Sequence, residues 1–205
     1  MIGIIDYKMG NLASLRNSFE KIRVPARVIH HPEELAVCDK VILPGVGAFG
    51  DAADHLNETG FDKALQEFVA TGKPLFGICL GMQLLFASSE ESPGAKGLGL
   101  VDGTVKRFDK SKAAHPLKIP HMGWNKMELR HESPLFKGLE SGFHLYFVHG
   151  YHGADCPDEE TTATCFYGYD FPAAVTKGNV FGLQPHPEKS HDTGLKILKN
   201  FGELA

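Results

Sequence analysis

The chain has 205 residues, of which 42% are hydrophobic and 22% charged, with a formal net charge of −4. That length holds one domain with a full core, and 21 Lys and Arg interspersed with 25 Asp and Glu give no basic field for nucleic acid. No apolar run approaches the ~20 residues of a membrane span, and the opening MIGIIDYKMGN reads as a core strand and turn rather than a signal or transit sequence.

Positions 2–6 (IGIID) predict a buried strand. Asn11 is placed to cap a helix that carries Leu12, Leu15, Phe19 and Ile22 on one stripe and ends at Pro25. Strands follow at 26–30 and 41–43, the second running into the loop PGVG at 44–47. A helical stretch over 51–70, interrupted near Gly60, leads to a strand at 74–78 and a helix over 80–86. Strands alternating with helices imply a parallel sheet covered on both faces. Beyond residue 100 short strand-like pieces succeed one another, at 103–108, 125–129, 143–148, 162–167, 173–175 and 180–183, a pattern that suits antiparallel pairing. Leu195, Leu198 and Phe201 give 191–201 the stripe of a closing amphipathic helix. With no linker, repeat or low-complexity segment, residues 1–205 read as a single α/β domain, an open, mostly parallel mixed sheet flanked by helices.

Four cysteines (Cys38, Cys79, Cys156 and Cys165) occur without a CxxC pair. They fit a reduced, cytoplasmic chain with free thiols rather than a disulfide framework or a zinc ribbon. Cys79 stands apart, in Gly77-Ile78-Cys79-Leu80-Gly81 between an apolar strand and an apolar helix. A nucleophile on a strained strand-to-helix turn needs such glycines, because the turn brings backbones together. A helix N-terminus there favours the thiolate, and the Leu80 N–H is placed to meet an oxyanion. Read alone, the pentapeptide equally describes a structural cysteine beside turn glycines. A base is available in Gln184-Pro185-His186-Pro187-Glu188, where prolines restrict the backbone on both sides of the imidazole. Glu188, two residues on, falls on the same side of an extended segment and can hold one ring nitrogen. A surface turn with prolines would look similar. The loop at 44–47 lies where α/β sheets bind ligands, and its glycines allow close backbone approach to an oxygen. His149-x-x-His152 would pair on a helix but falls in strand and turn, so no metal site is expected.

In this order, the glycine loop, the Gly-x-Cys-x-Gly turn and the His-Pro-Glu segment resemble the triad-type (class I) glutamine amidotransferases. IDYKMGNLASL at 5–15, LPGVGAFGDA at 43–52, GICLGMQLLF at 77–86, PHMGWN at 120–125, YFVHGYH at 146–152 and HPEKS at 186–190 carry the resemblance over nearly the whole chain. PHMGWN and the N-terminal GN pattern are similar to the branch of glutaminase subunits found in imidazole glycerol phosphate synthases of histidine biosynthesis.

The resemblance implies that Cys79 is the nucleophile, His186 the base and Glu188 its orienter, with oxyanion donors at Leu80 and, after a peptide flip, Val46. It implies that Gly47, Gln83, Glu91, Gly150 and Tyr151 hold glutamine, and that no cofactor is needed. It further implies a heterodimer with a (β/α)₈-barrel cyclase that receives ammonia, docked on Met122, Trp124, Tyr146 and Lys189. Two positions depart from the family pattern: Pro185 stands where an aromatic residue usually precedes the histidine, and Gly150 where a hydroxyl residue is common. Rival expectations are the glutaminase of a different amidotransferase, a related Cys-His hydrolase such as a cysteine peptidase or γ-glutamyl hydrolase, and a non-catalytic subunit on the same scaffold.

Overall fold

Strands that read as unbroken apolar runs are the ones covered on both faces. In a computed structural model describing residues 1–204, these are β1 (Ile2–Ile5), β3 (Lys40–Leu43), β4 (Leu75–Ile78) and β12 (Val180–Leu183). With β2 (Ala26–Ile29) they pair in parallel, in the order β2-β1-β3-β4-β12. The sheet continues antiparallel through β11 (Asp170–Lys177), β10 (Thr161–Phe166) and β7 (Glu128–Leu129), giving eight strands among the described residues.

Alternation along each strand divides the core into two layers. Ile4, Ile42, Phe76 and Phe181 pack under α1 (Leu12–Lys21) and α5 (His191–Gly202), against Leu15, Phe19, Leu198 and Phe201. Ile5, Val41, Leu43 and Leu75 face α2 (Phe49–Thr59) and α3 (Phe61–Ala70), against Leu56, Phe61, Leu65 and Phe68. Gly60, with φ 77°, makes the break between α2 and α3 that the sequence indicates. Asn11 caps α1, its side chain accepting from the Ser14 N–H.

Two expectations need correction, and one strand is added to them. The helix expected over 80–86 lasts one turn, α4 (Leu80–Gln83). The next carbonyls turn outward: the Leu84 oxygen accepts from Leu98 N–H and the Leu85 oxygen from Leu100 N–H, both at 2.8 Å. Leu84, Leu85 and Phe86 are all fully buried, so no solvent face exists to favour a regular amphipathic helix. The strand expected over 125–129 is two strands in different sheets. β6 (His121–Lys126) pairs with β8 (His144–His149), whereas β7 joins the main sheet, and buried Met127 lies between them. A further ribbon joins β5 (Thr104–Arg107) to β9 (Tyr151–Ala154), a strand hidden in sequence by Gly150 and Gly153.

α5 sits very close to the loop that precedes it. A Cβ at Gly194 would lie 1.9 Å from the Pro187 carbonyl oxygen, so only glycine permits this seat.

Candidate active site

β4 lies between β3 and β12, and its last residue points the chain into the crevice beyond the carboxyl ends of the parallel strands. Cys79 follows with φ 55° and ψ −111°, a conformation that a non-glycine residue holds only under constraint. Its N–H is anchored to the Leu183 carbonyl at 2.8 Å. A Cβ at Gly77 would meet the Gly81 oxygen at 2.6 Å, and one at Gly81 would meet the Leu43 oxygen at 1.8 Å. The glycines therefore clear the space a sharp turn requires. Because α4 is a single turn, the helix-dipole help expected for the thiolate is small. Leu80, its first residue, has an N–H with no intrahelical acceptor and lines the cavity beside the thiol.

The imidazole comes from the turn after β12. The His186 Nδ1 is 2.7 Å from Glu188 Oε1, and both side chains are buried. Its other nitrogen is left for Cys79, which lines the same cavity. Pro185 does not turn the ring away from Glu188. Burial disfavours the imidazolium, but Cys79 in its thiolate form and the Glu188 carboxylate together outweigh it and raise His186 from its ordinary 6.5 to about 10. A pKa raised on folding contributes stability that is fully present below about 6.5 and is lost as pH rises through about 10. The difference in unfolding free energy between the wild type and His186→Gln should therefore shrink steadily across that window. Denaturant titrations at a series of pH values measure it, and a constant difference would contradict the ion pair.

The other expected ligands converge on the same cavity of about 280 Å³, lined by Val46, Gly47, Gln83, Glu91, Gly150 and Tyr151. Gly47 has φ 105°, open to glycine and strained for other residues. Glu91 arrives through the irregular chain after α4, and its Oε2 accepts from the Phe49 N–H at the start of α2 at 2.9 Å. Of the expected docking residues, Met122 and Trp124 are 62% and 47% exposed on β6. Trp124 lies edge-on to Tyr146 and stacks on His191 at 5.1 Å, so it is a surface residue and not a core one. Lys189 lines the cavity, and Tyr146 accepts the His186 N–H on its carbonyl at 2.9 Å.

Two further residues belong to the site. Fully buried Gln184 donates from Nε2 to the Cys79 sulfur at 3.8 Å and accepts from Gln83 Nε2 at 3.1 Å. Tyr7 donates to the Pro44 carbonyl at 2.8 Å beneath the glycine loop, and a Cβ at Gly45 would sit 2.6 Å from its hydroxyl. Burial, with the nearby Cys79 charge, pushes the Tyr7 phenol far up, so it stays a donor. Both residues fall inside stretches already singled out in the sequence, but an amide and a phenol carry no spacing signal of their own.

A larger groove of about 600 Å³ lies near Pro134 and Leu139, remote from any nucleophile–base pair. Chemistry, not size, marks the smaller cavity as the site. Among the described residues no group of three His, Cys, Asp or Glu is arranged to hold a metal ion.

The glutamine amidotransferase class-I family model matches residues 3–204. An imidazole glycerol phosphate synthase subunit HisH of Sulfurimonas denitrificans is 56% identical over 202 residues, covering 98% of this chain and 97% of that one. The subunit of the same name from Bacillus subtilis is 48% identical, with 100% and 97% covered. Among solved structures, one described as PurLQS from Thermotoga maritima superposes with a TM-score of 0.77 at 20% identity, covering 98% of this chain and 96% of that one. A glutamine amidotransferase gives 0.75 at 22% identity, with 98% of each covered. At those identities the structures establish the shared fold.

Proposed function

The chain belongs to the class-I glutamine amidotransferase family, and from that premise we propose that it is the glutaminase subunit of an imidazole glycerol phosphate synthase. It hydrolyses L-glutamine to glutamate and ammonia, and the ammonia serves histidine biosynthesis. The observation that carries the reading is that His186, held by Glu188, and Cys79 line one amino-acid-sized cavity.

The Cys79 thiolate attacks the side-chain carbonyl of glutamine, and the oxyanion falls to the Leu80 and Val46 N–H groups. One such donor is worth about 10²–10³ in rate. The His186 imidazolium, held charged by Glu188, protonates the departing nitrogen, and ammonia leaves a thioester. His186, now neutral, takes a proton from water, whose oxygen attacks the thioester and releases glutamate. Each step is an acyl or proton transfer among these side chains, so the chemistry calls on no cofactor.

Ammonia freed into water is protonated and lost as a nucleophile, so the product must pass directly to a partner. The partner is a (β/α)₈-barrel cyclase in a heterodimer, seated on the exposed Met122 and Trp124 with Tyr146 and Lys189 beside the cavity. No helix among the described residues is long and apolar enough to cross a membrane, and the reaction is placed in the cytoplasm, where the four thiols stay reduced. The lone chain is expected to be a poor glutaminase, its Val46 N–H turned in only when the cyclase binds its own ligand. Ammonia release measured for the chain alone, with cyclase, and with cyclase plus its nucleotide ligand tests this. Equal rates in all three would refute activation, and no co-purification with a cyclase would refute the partner.

A further inference from the structure

Two histidines that the mechanism does not use stand beside Gly150 and Tyr151: His149 lines the cavity itself, and His121 packs behind it. His121 on β6 and His149 at the end of β8 face each other in the hairpin register, His121 Nδ1 lying 3.0 Å from His149 Nε2. Both are buried. Their protonation follows from atoms that can only accept. The Tyr151 carbonyl is 2.8 Å from His149 Nδ1, so that nitrogen carries the hydrogen. His149 Nε2 then accepts, and His121 Nδ1 donates to it. His121 Nε2 is left to accept from the Asn125 Nδ2 at 3.1 Å, while the second amide hydrogen goes to the Phe166 carbonyl at 2.9 Å. Both rings are thus neutral with the hydrogen on Nδ1. Burial agrees, pushing His121 down to about 4 and His149 well below its ordinary value. Stacking fixes His121, between Phe147 at 4.7 Å and Tyr167 at 4.1 Å.

The chain of bonds continues into the cavity. The Tyr151 carbonyl also accepts from Gln83 Nε2 at 2.9 Å, and the same amide reaches Gln184 Oε1. Both hydrogens of the Gln83 amide are therefore spent, and only its Oε1 remains for a ligand. One unbroken path links Asn125, beside exposed Trp124, to the Cys79 sulfur through His121, His149, the Tyr151 carbonyl, Gln83 and Gln184. A largely buried network of this kind holds its groups in one arrangement.

We propose that His121 and His149 are positioning residues for glutamine: they hold the Tyr151 carbonyl and Gln83 in the setting that the substrate's amino-acid end requires, and they tie that setting to the exposed β6–β8 ribbon. The proposal rests on the glutaminase reading and adds to it how the substrate wall is set.

The test uses the full-length chain and two reagents that alkylate Cys79: 6-diazo-5-oxo-L-norleucine, which has the shape of glutamine, and iodoacetamide, which does not. Intact-mass spectrometry follows labelling against reagent concentration. In His149→Gln the amide reaches the position of Nε2 and abandons the Tyr151 carbonyl, whereas in His149→Asn it occupies the position of Nδ1 and keeps that carbonyl. His149→Gln should raise the half-saturating concentration of the glutamine-shaped reagent about tenfold, on the scale of one lost hydrogen bond. His149→Asn should stay within about threefold of the wild type, and iodoacetamide should label all three at similar rates. If either variant loses its native circular dichroism, His121→Leu against His121→Asn reads the same link, Leu removing and Asn keeping the donor to His149. Equal saturation in the Gln and Asn variants, or parallel losses with both reagents, would overturn the proposal. Failure of the wild type to saturate with the glutamine-shaped reagent would overturn the glutaminase reading, and the proposal with it.

Discussion

Ammonia release from glutamine by the chain together with its cyclase is expected to fall by at least ~10⁴-fold in Cys79→Ala, the scale on which loss of a triad member lowers turnover. The reason is positional. Cys79 shares its cavity with His186 and with Leu80 at the entry to α4, and its Sγ has the Gln184 amide 3.8 Å away. Each of these acts on the sulfur and has nothing to act on in its absence. Stability should move the other way along the pair Cys79→Ala and Cys79→Gly. At φ 55° and ψ −111° a Cβ is strained and a hydrogen is not, so the glycine variant should be more stable than the alanine variant by about 1 kcal/mol. Urea midpoints of the two inactive variants measure this directly. Residual turnover within tenfold of the wild type would remove Cys79 from the mechanism, and an alanine variant more stable than the glycine one would show that the turn is unstrained.

Gly81→Ala carries the second large effect. The added methyl would lie 1.8 Å from the Leu43 carbonyl and 3.2 Å from that of Pro44, both backbone atoms that no rotamer change can move. Either α4 shifts away from β3 or the elbow opens, and each outcome displaces the Leu80 N–H from the thiol. Overpacking of this kind costs about 3 kcal/mol, and the same displacement should lower ammonia release by about 10²-fold or more, as when one oxyanion donor is lost. Denaturant unfolding and a steady-state assay on one preparation test both halves. A variant as stable and as active as the wild type would mean that the helix and strand are not in contact as described.

Strand positions 2–5, 40–43, 75–78 and 180–183 were legible because each is an apolar run bounded by turn residues, and burial on both faces leaves such runs no other home. The elbow was legible for a related reason, since Gly77 and Gly81 answer to contacts below 3 Å that only glycine allows. What the sequence hid depends on long-range partners. Nothing local to 80–86 shows that the amides of Leu98 and Leu100 will take the carbonyls of Leu84 and Leu85, so a seven-residue helix was the reasonable reading of a one-turn one. The split at Met127 is hidden in the same way, because β6 and β7 have strand character and differ only in which distant strand each meets. Gln184 and Tyr7 lay inside quoted stretches without a role, since their donors acquire meaning only beside Cys79 and the Pro44 carbonyl. The histidines at 149 and 152 drew attention as a sequence pair, yet the consequential neighbour of His149 is His121, across the hairpin.

The seat of the last helix reaches further than its distance from the thiol suggests. Gly194 touches the Pro187 carbonyl, one peptide after His186, and Ser190 clamps the same turn by donating to the His186 oxygen at 2.6 Å while accepting from the Tyr146 N–H at 2.9 Å. A side chain at position 194 would push on the imidazole through the intervening backbone without entering the cavity. Ranking substitutions by their separation from Cys79 would file such a change as harmless, when it would work as a lever on the proton donor itself.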